Sequence, residues 1–106
     1  LDPAHTQGHL TLGMVLWRKG VPAQAAQALR LAISLEPDNA TAHYYLGEAL
    51  NQANDLPGAR AALQRAADLG PDHGRTFRLL GRVLDRMGQP DEAQAMYRRA
   101  REVGET

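Results

Sequence analysis

The chain has no cysteine, which removes disulfides, thiolate metal sites and cysteine nucleophiles from consideration and leaves the compartment open. Aromatic residues make up only 5% of the 106 residues, against 43% for all hydrophobic types. Much of that apolar share is alanine, and such small side chains suit helices packed at close range. No apolar run approaches the roughly 18 residues that a membrane span requires, and no signal-peptide pattern opens the chain. No charge sign is in excess: twelve basic residues balance twelve acidic ones, which argues against a general nucleic-acid or membrane-surface binder while leaving room for a local patch. There is one serine, Ser34, and one lysine, Lys19. The sequence contains no nucleophile elbow, phosphate-cradling glycine loop or His-Glu-x-x-His motif, so it implies no catalytic residue, no cofactor and no enzyme. His5 and His9, four residues apart, could share a helix face as metal ligands do, but His9 holds the same phase as His43, and packing accounts for it; no metal is expected. The Ala-, Arg- and Gly-rich composition suits a GC-rich bacterial gene.

What the chain does contain is a period. Pro3, Pro37 and Pro71 stand 34 residues apart, as do Gly13, Gly47 and Gly81. The same step links Leu12, Leu46 and Leu80, then Leu16, Leu50 and Leu84, then Ala25, Ala59 and Ala93, then Ala32, Ala66 and Ala100. Gly20, Asn54 and Gly88 keep it too, and these are residues that tolerate the left-handed conformation ending a helix. Pro22, Pro57 and Pro90 follow, where a first helical turn accepts proline. Asp38 and Asp72 are placed to cap the helices after them. Apolar steps of three and four give six helices, near 6–19, 22–35, 40–53, 57–69, 74–87 and 90–103, with short connections and no strand signal. A helix-interior glycine costs about 1 kcal/mol against alanine, so the glycine column must be offset by packing. The expected arrangement lets the two helices of a hairpin touch, with Ala25, Ala59 and Ala93 opposite the glycines.

These columns resemble the tetratricopeptide repeat, whose pattern is Trp-x2-Leu-Gly-x2-Tyr, Ala-x3-Phe and Pro over 34 residues. The first repeat reads His9, Leu12, Gly13, Leu16, Ala25, Leu29 and Pro37. The second reads His43, Leu46, Gly47, Leu50, Ala59, Leu63 and Pro71. The third reads Phe77, Leu80, Gly81, Leu84, Ala93 and Tyr97, with Glu105 in the proline position. The resemblance implies an all-α, right-handed superhelical solenoid of three helix-turn-helix hairpins, six antiparallel helices in a single domain. The repeats run 6–39, 40–73 and 74–106, with residues 1–5 phased as the tail of a preceding repeat.

The family uses such stacks as protein-interaction scaffolds, with the first helix of each repeat lining a concave groove. Carried over residue by residue, the groove positions are Gln7, Leu10, Met14, Trp17 and Arg18, then Thr41, Tyr44, Glu48, Asn51 and Gln52, then Arg75, Arg78, Arg82, Asp85 and Arg86. The arginines at 75, 78, 82 and 86 share one helix face, and their forks suit carboxylates or phosphates. The implied partner is a peptide or protein with a bulky apolar group toward the first repeat and acidic groups toward the third. Leu10, Met14 and Trp17 could instead pack against a preceding repeat. Of the positions that chaperone-binding members use to hold peptide carboxylates, Leu10, Met14, Tyr45, Arg75 and Leu79, only Arg75 has the right chemistry. A structural spacer stacking end to end through uncapped first and last helices is the alternative function, and phosphate contact by the third-repeat arginines is a less favoured one.

Overall fold

The computed structural model describes residues 3–70 and 73–104. They form six helices: α1 (Pro3–Arg18), α2 (Pro22–Leu35), α3 (Ala40–Gln52), α4 (Leu56–Leu69), α5 (Gly74–Arg86) and α6 (Pro90–Gly104). No strand occurs among the described residues. The helices pair as the hairpins α1/α2, α3/α4 and α5/α6, and the hairpins stack because α2 packs on α3 and α4 on α5. The odd helices also meet, α1 with α3 and α3 with α5, so they line one side of the stack.

Each hairpin turn repeats one hydrogen-bond pattern. Val21 N–H donates to the Leu16 carbonyl at 3.1 Å, Asp55 to Leu50 at 2.8 Å and Gln89 to Leu84 at 2.9 Å. The turn needs one residue in the left-handed region, and Gly20, Asn54 and Gly88 take φ of +80°, +66° and +77°. Asn54 carries a side chain there for a reason the turn itself does not supply: its Oδ1 accepts from the Arg86 guanidinium of the next hairpin.

The glycine column works through a different partner from the expected alanines. A Cβ on Gly13 would lie 2.5 Å from Leu29 Cγ, one on Gly47 would lie 2.5 Å from Leu63 Cγ, and one on Gly81 would lie 2.6 Å from Tyr97 Cε1. The glycines therefore admit the large residue one turn beyond Ala25, Ala59 and Ala93, and the alanines are fully buried beside it. Caps also differ from expectation. Asn39, not Asp38, caps α3, its Oδ1 accepting from Ala42 N–H at 3.1 Å, while Asp38 pairs with Arg65 at 3.2 Å. Asp55 caps α4 by accepting from Gly58 N–H at 3.0 Å. Asp72, the other expected cap, lies outside the described residues, as do Pro71 and Glu105. α1 starts at Pro3, earlier than expected, so residues 3–5 belong to its first turn. His43, in the aromatic slot, is buried and its Nε2 donates to the Pro37 carbonyl at 2.9 Å, tying α3 to the turn before it.

The two ends of the stack are chemically unlike. Large exposed hydrophobic residues, Leu12, Val15, Val21 and Leu31, all belong to the first hairpin or its turn. At the other end α6 exposes Gln94, Arg98 and Arg101, in the columns where α2 has Ala26, Arg30 and Ile33.

Candidate functional site

The side lined by α1, α3 and α5 brings together residues from all three hairpins. Trp17 near the end of α1 meets Tyr45 of α3 edge-on, with ring centroids 5.7 Å apart and planes at 60°. Tyr45 meets its neighbour Tyr44 at 5.1 Å and 81°. Arg75, from the first turn of α5, lays its guanidinium 4.5 Å from the Tyr44 ring centroid and 5.7 Å from that of Tyr45. The result is a continuous ladder, Trp17–Tyr45–Tyr44–Arg75, crossing the stack. Edge-to-face pairs and a cation over a ring are each favourable by about 1 kcal/mol. A guanidinium that gives its face to the rings keeps its in-plane N–H donors for another group.

Tyr44 Oη donates to Glu48 Oε2 at 2.9 Å, one helical turn along α3. Burial pushes the Tyr44 hydroxyl well above the usual tyrosine range, and the charge and hydrogen bond of Glu48 push it further, while Arg75 pulls weakly the other way. On α6, Tyr97 Oη donates to Asp85 at 2.9 Å; desolvation and Asp85 raise its pKa, with Arg82 opposing.

Measured against the expected groove, the positions divide. Met14 and Trp17 are half-buried against the core, and Arg75, Arg78 and Arg82 are exposed. Leu10 is 6% exposed and belongs to the buried core cluster; it offers no surface to a partner. Tyr44 is 8% exposed and takes part through its hydroxyl and the cation on its ring rather than as an open face. Asn51 and Arg86 are already joined: Arg86 Nη1 donates to the Asn51 carbonyl at 2.9 Å and to its Oδ1, and Nη2 to Asn54 Oδ1. Arg86 thus serves the carbonyl end of α3, and the exposed arginines of the row are Arg75, Arg78 and Arg82. Glu48 is half-buried and bonded to Tyr44. Tyr45 was missing from the groove set, although it joins Trp17 to Arg75. The signal available was the Tyr44-Tyr45 pair itself: adjacent helical residues point about 100° apart, so the pair straddles the edge between core and surface.

Two profiles for the tetratricopeptide repeat match the chain, over residues 10–73 and 52–105. Among solved structures, a crystal structure of MamA is 31% identical, covering 96% of this chain and 60% of that one with a TM-score of 0.91. MamA 41-end from Desulfovibrio magneticus RS-1 is 25% identical, with 96% and 58% covered and a TM-score of 0.90. The first TPR of Spaghetti (RPAP3), bound to the HSP90 peptide SRMEEVD, is 16% identical over 97% of this chain and 82% of that one, with a TM-score of 0.92. The chain therefore spans about 60% of the length of the MamA structures it resembles. No functionally curated protein matches it significantly.

Proposed function

Because this chain belongs to the tetratricopeptide repeat family, a family of protein-interaction modules, we propose that its inner surface binds an acidic peptide segment of a partner protein and performs no catalysis. The observation that carries this reading is the ladder from Trp17 to Arg75. It presents half-covered aromatic edges from the first two hairpins beside guanidinium donors from the third. A bulky apolar residue of the partner packs against Met14, Trp17 and Tyr45, and its carboxylates take the N–H edges of Arg75, Arg78 and Arg82. The RPAP3 neighbour of the same fold is bound to the HSP90 peptide SRMEEVD, which supports a peptide-binding reading of the shared fold. Arg75 is the one chaperone-clamp position with suitable chemistry, so the expected preference is for internal acidic segments over a terminal carboxylate.

Trp17 is the sole tryptophan, so its emission reports on this surface without a label. Titration with a set of peptides that pair one aromatic residue with two or three carboxylates should shift Trp17 emission saturably, with dissociation constants in roughly the micromolar range. Arg75→Ala or Arg78→Glu should weaken the tightest peptide at least tenfold. Equal binding of acidic, neutral and basic peptides, or no effect of either substitution, defeats the reading.

A further inference from the structure

The middle helix of the inner surface carries an acid where its neighbour carries arginines. Met14, Glu48 and Arg82 hold one column of the repeat across α1, α3 and α5, so charge along that column runs from none, through negative, to positive. Glu48 is the only Asp, Glu, Lys or Arg of α3, and α1 has only Arg18. It is half-buried and lies one turn along α3 from Tyr44 and Tyr45, the centre of the aromatic ladder. Tyr44 Oη donates to its Oε2 at 2.9 Å and, holding its proton more tightly than an ordinary tyrosine, remains a donor. An ionised carboxylate accepts at about four lone-pair positions, and one hydroxyl serves one of them. A partner segment laid across α3 strips water from the others. Unless that segment brings a donor, it leaves a desolvated charge without a partner, which is costly.

We propose that Glu48 is a specificity residue of this surface, selecting a partner segment with a lysine or arginine between its apolar residue and its acids. The inference rests on the peptide reading and fixes the order of chemistry along the bound segment: apolar at the first hairpin, cationic at the second, acidic at the third. Exposed arginines alone would favour the most acidic segment. Glu48 repels an acid at the middle of the surface, and such a repulsive element narrows partner choice as much as an attractive one. Holding Tyr44 does not call for a charge, because the ring is buried and a neutral amide oxygen would accept its hydrogen equally well. Packed helix axes stand about 8–10 Å apart, and extended chain advances about 3.3–3.6 Å per residue. The cation therefore falls about three residues from the apolar group and about three from the first acid.

The test titrates the whole chain with synthetic peptides of that spacing, read by Trp17 emission. Each has a phenylalanine at one end, a pair of glutamates at the other and lysine, glutamine or glutamate between them, made in both chain directions with uncharged polar residues elsewhere. The native chain should bind the lysine peptide about tenfold more tightly than the glutamate peptide, with glutamine intermediate, the reverse of the ranking that arginines alone would give. Glu48→Gln keeps an acceptor for Tyr44 and should invert that order, with unchanged helical circular dichroism. Tyr44→Phe keeps the carboxylate and removes its internal donor, so the preference for lysine should widen. A glutamate peptide that binds the native chain most tightly, or a lysine preference that survives in Glu48→Gln, would overturn the proposal. Binding that Arg75→Ala weakens but the middle residue leaves unchanged would overturn it too, while the peptide reading stands. No saturable shift with any of the peptides would defeat both.

Discussion

A methyl group on Gly47 would stand 2.5 Å from Leu63 Cγ and 2.6 Å from its Cδ2, and Leu63 is fully buried with no room to retreat. Gly8, also inside a helix, has nothing within 4 Å of the equivalent point. The same substitution should thus have opposite signs at the two sites. Gly8→Ala gains helix propensity alone and should stabilise by roughly 0.5–1 kcal/mol. Gly47→Ala gains the same propensity but must displace a core leucine, and a net loss of about 1–2 kcal/mol is expected after overpacking. Urea midpoints of both variants decide the matter, and a stabilised Gly47→Ala would refute this account of the column. The sequence period alone was enough to require that these glycines be packed against something. It could not say that the partner is Leu29, Leu63 or Tyr97 and not the alanines a turn earlier. That choice depends on which way each side chain leans between two crossed helices, a tertiary property absent from spacing.

Among elements, the join between α3 and α5 is where reading from sequence falls furthest short. Boundaries of α2 to α6 fall within one residue of those expected, since proline, glycine and asparagine punctuate both ends of the hairpins. The fate of polar residues on the inner surface was not legible: Arg86 and Asn51 bond to each other across the helices, and Leu10 and Tyr44 are covered. Their exposure depends on how closely neighbouring odd helices approach, which the superhelix decides. The same approach buries Tyr44 under Arg75 and gives it a titration consequence. The folded state holds the Tyr44 proton more tightly than the unfolded chain, whose tyrosines ionise near about pH 10. Below that pH both states keep the proton and the full stability is present. As pH rises beyond it, the unfolded chain ionises first and stability is lost until the folded pKa is reached. Urea midpoints should therefore fall between about pH 9.5 and 11.5 in the native chain, and less steeply in Tyr44→Phe. Tyr97, raised by desolvation and Asp85, retains a smaller share of the loss in that variant. Identical slopes for the two proteins would show that Tyr44 ionises as freely folded as unfolded.

For the whole molecule, each hairpin touches only its sequence neighbours, so stability is a sum of hairpin terms and two internal interfaces. The middle hairpin has an interface on both sides. Arg60 of α4 donates to Gln89 at 3.2 Å and pairs with Glu92 at 3.0 Å, Arg86 grips the end of α3, and His43 and Arg65 hold the turn before it. The outer hairpins have one interface each. Of these, the first leaves leucine and valine in water while the third ends in charge. Native-state hydrogen exchange should then show the slowest amides in α3 and α4, with α1 and α6 opening at lower free energy. Equal protection in all three hairpins would show that the stack opens as one unit and not hairpin by hairpin.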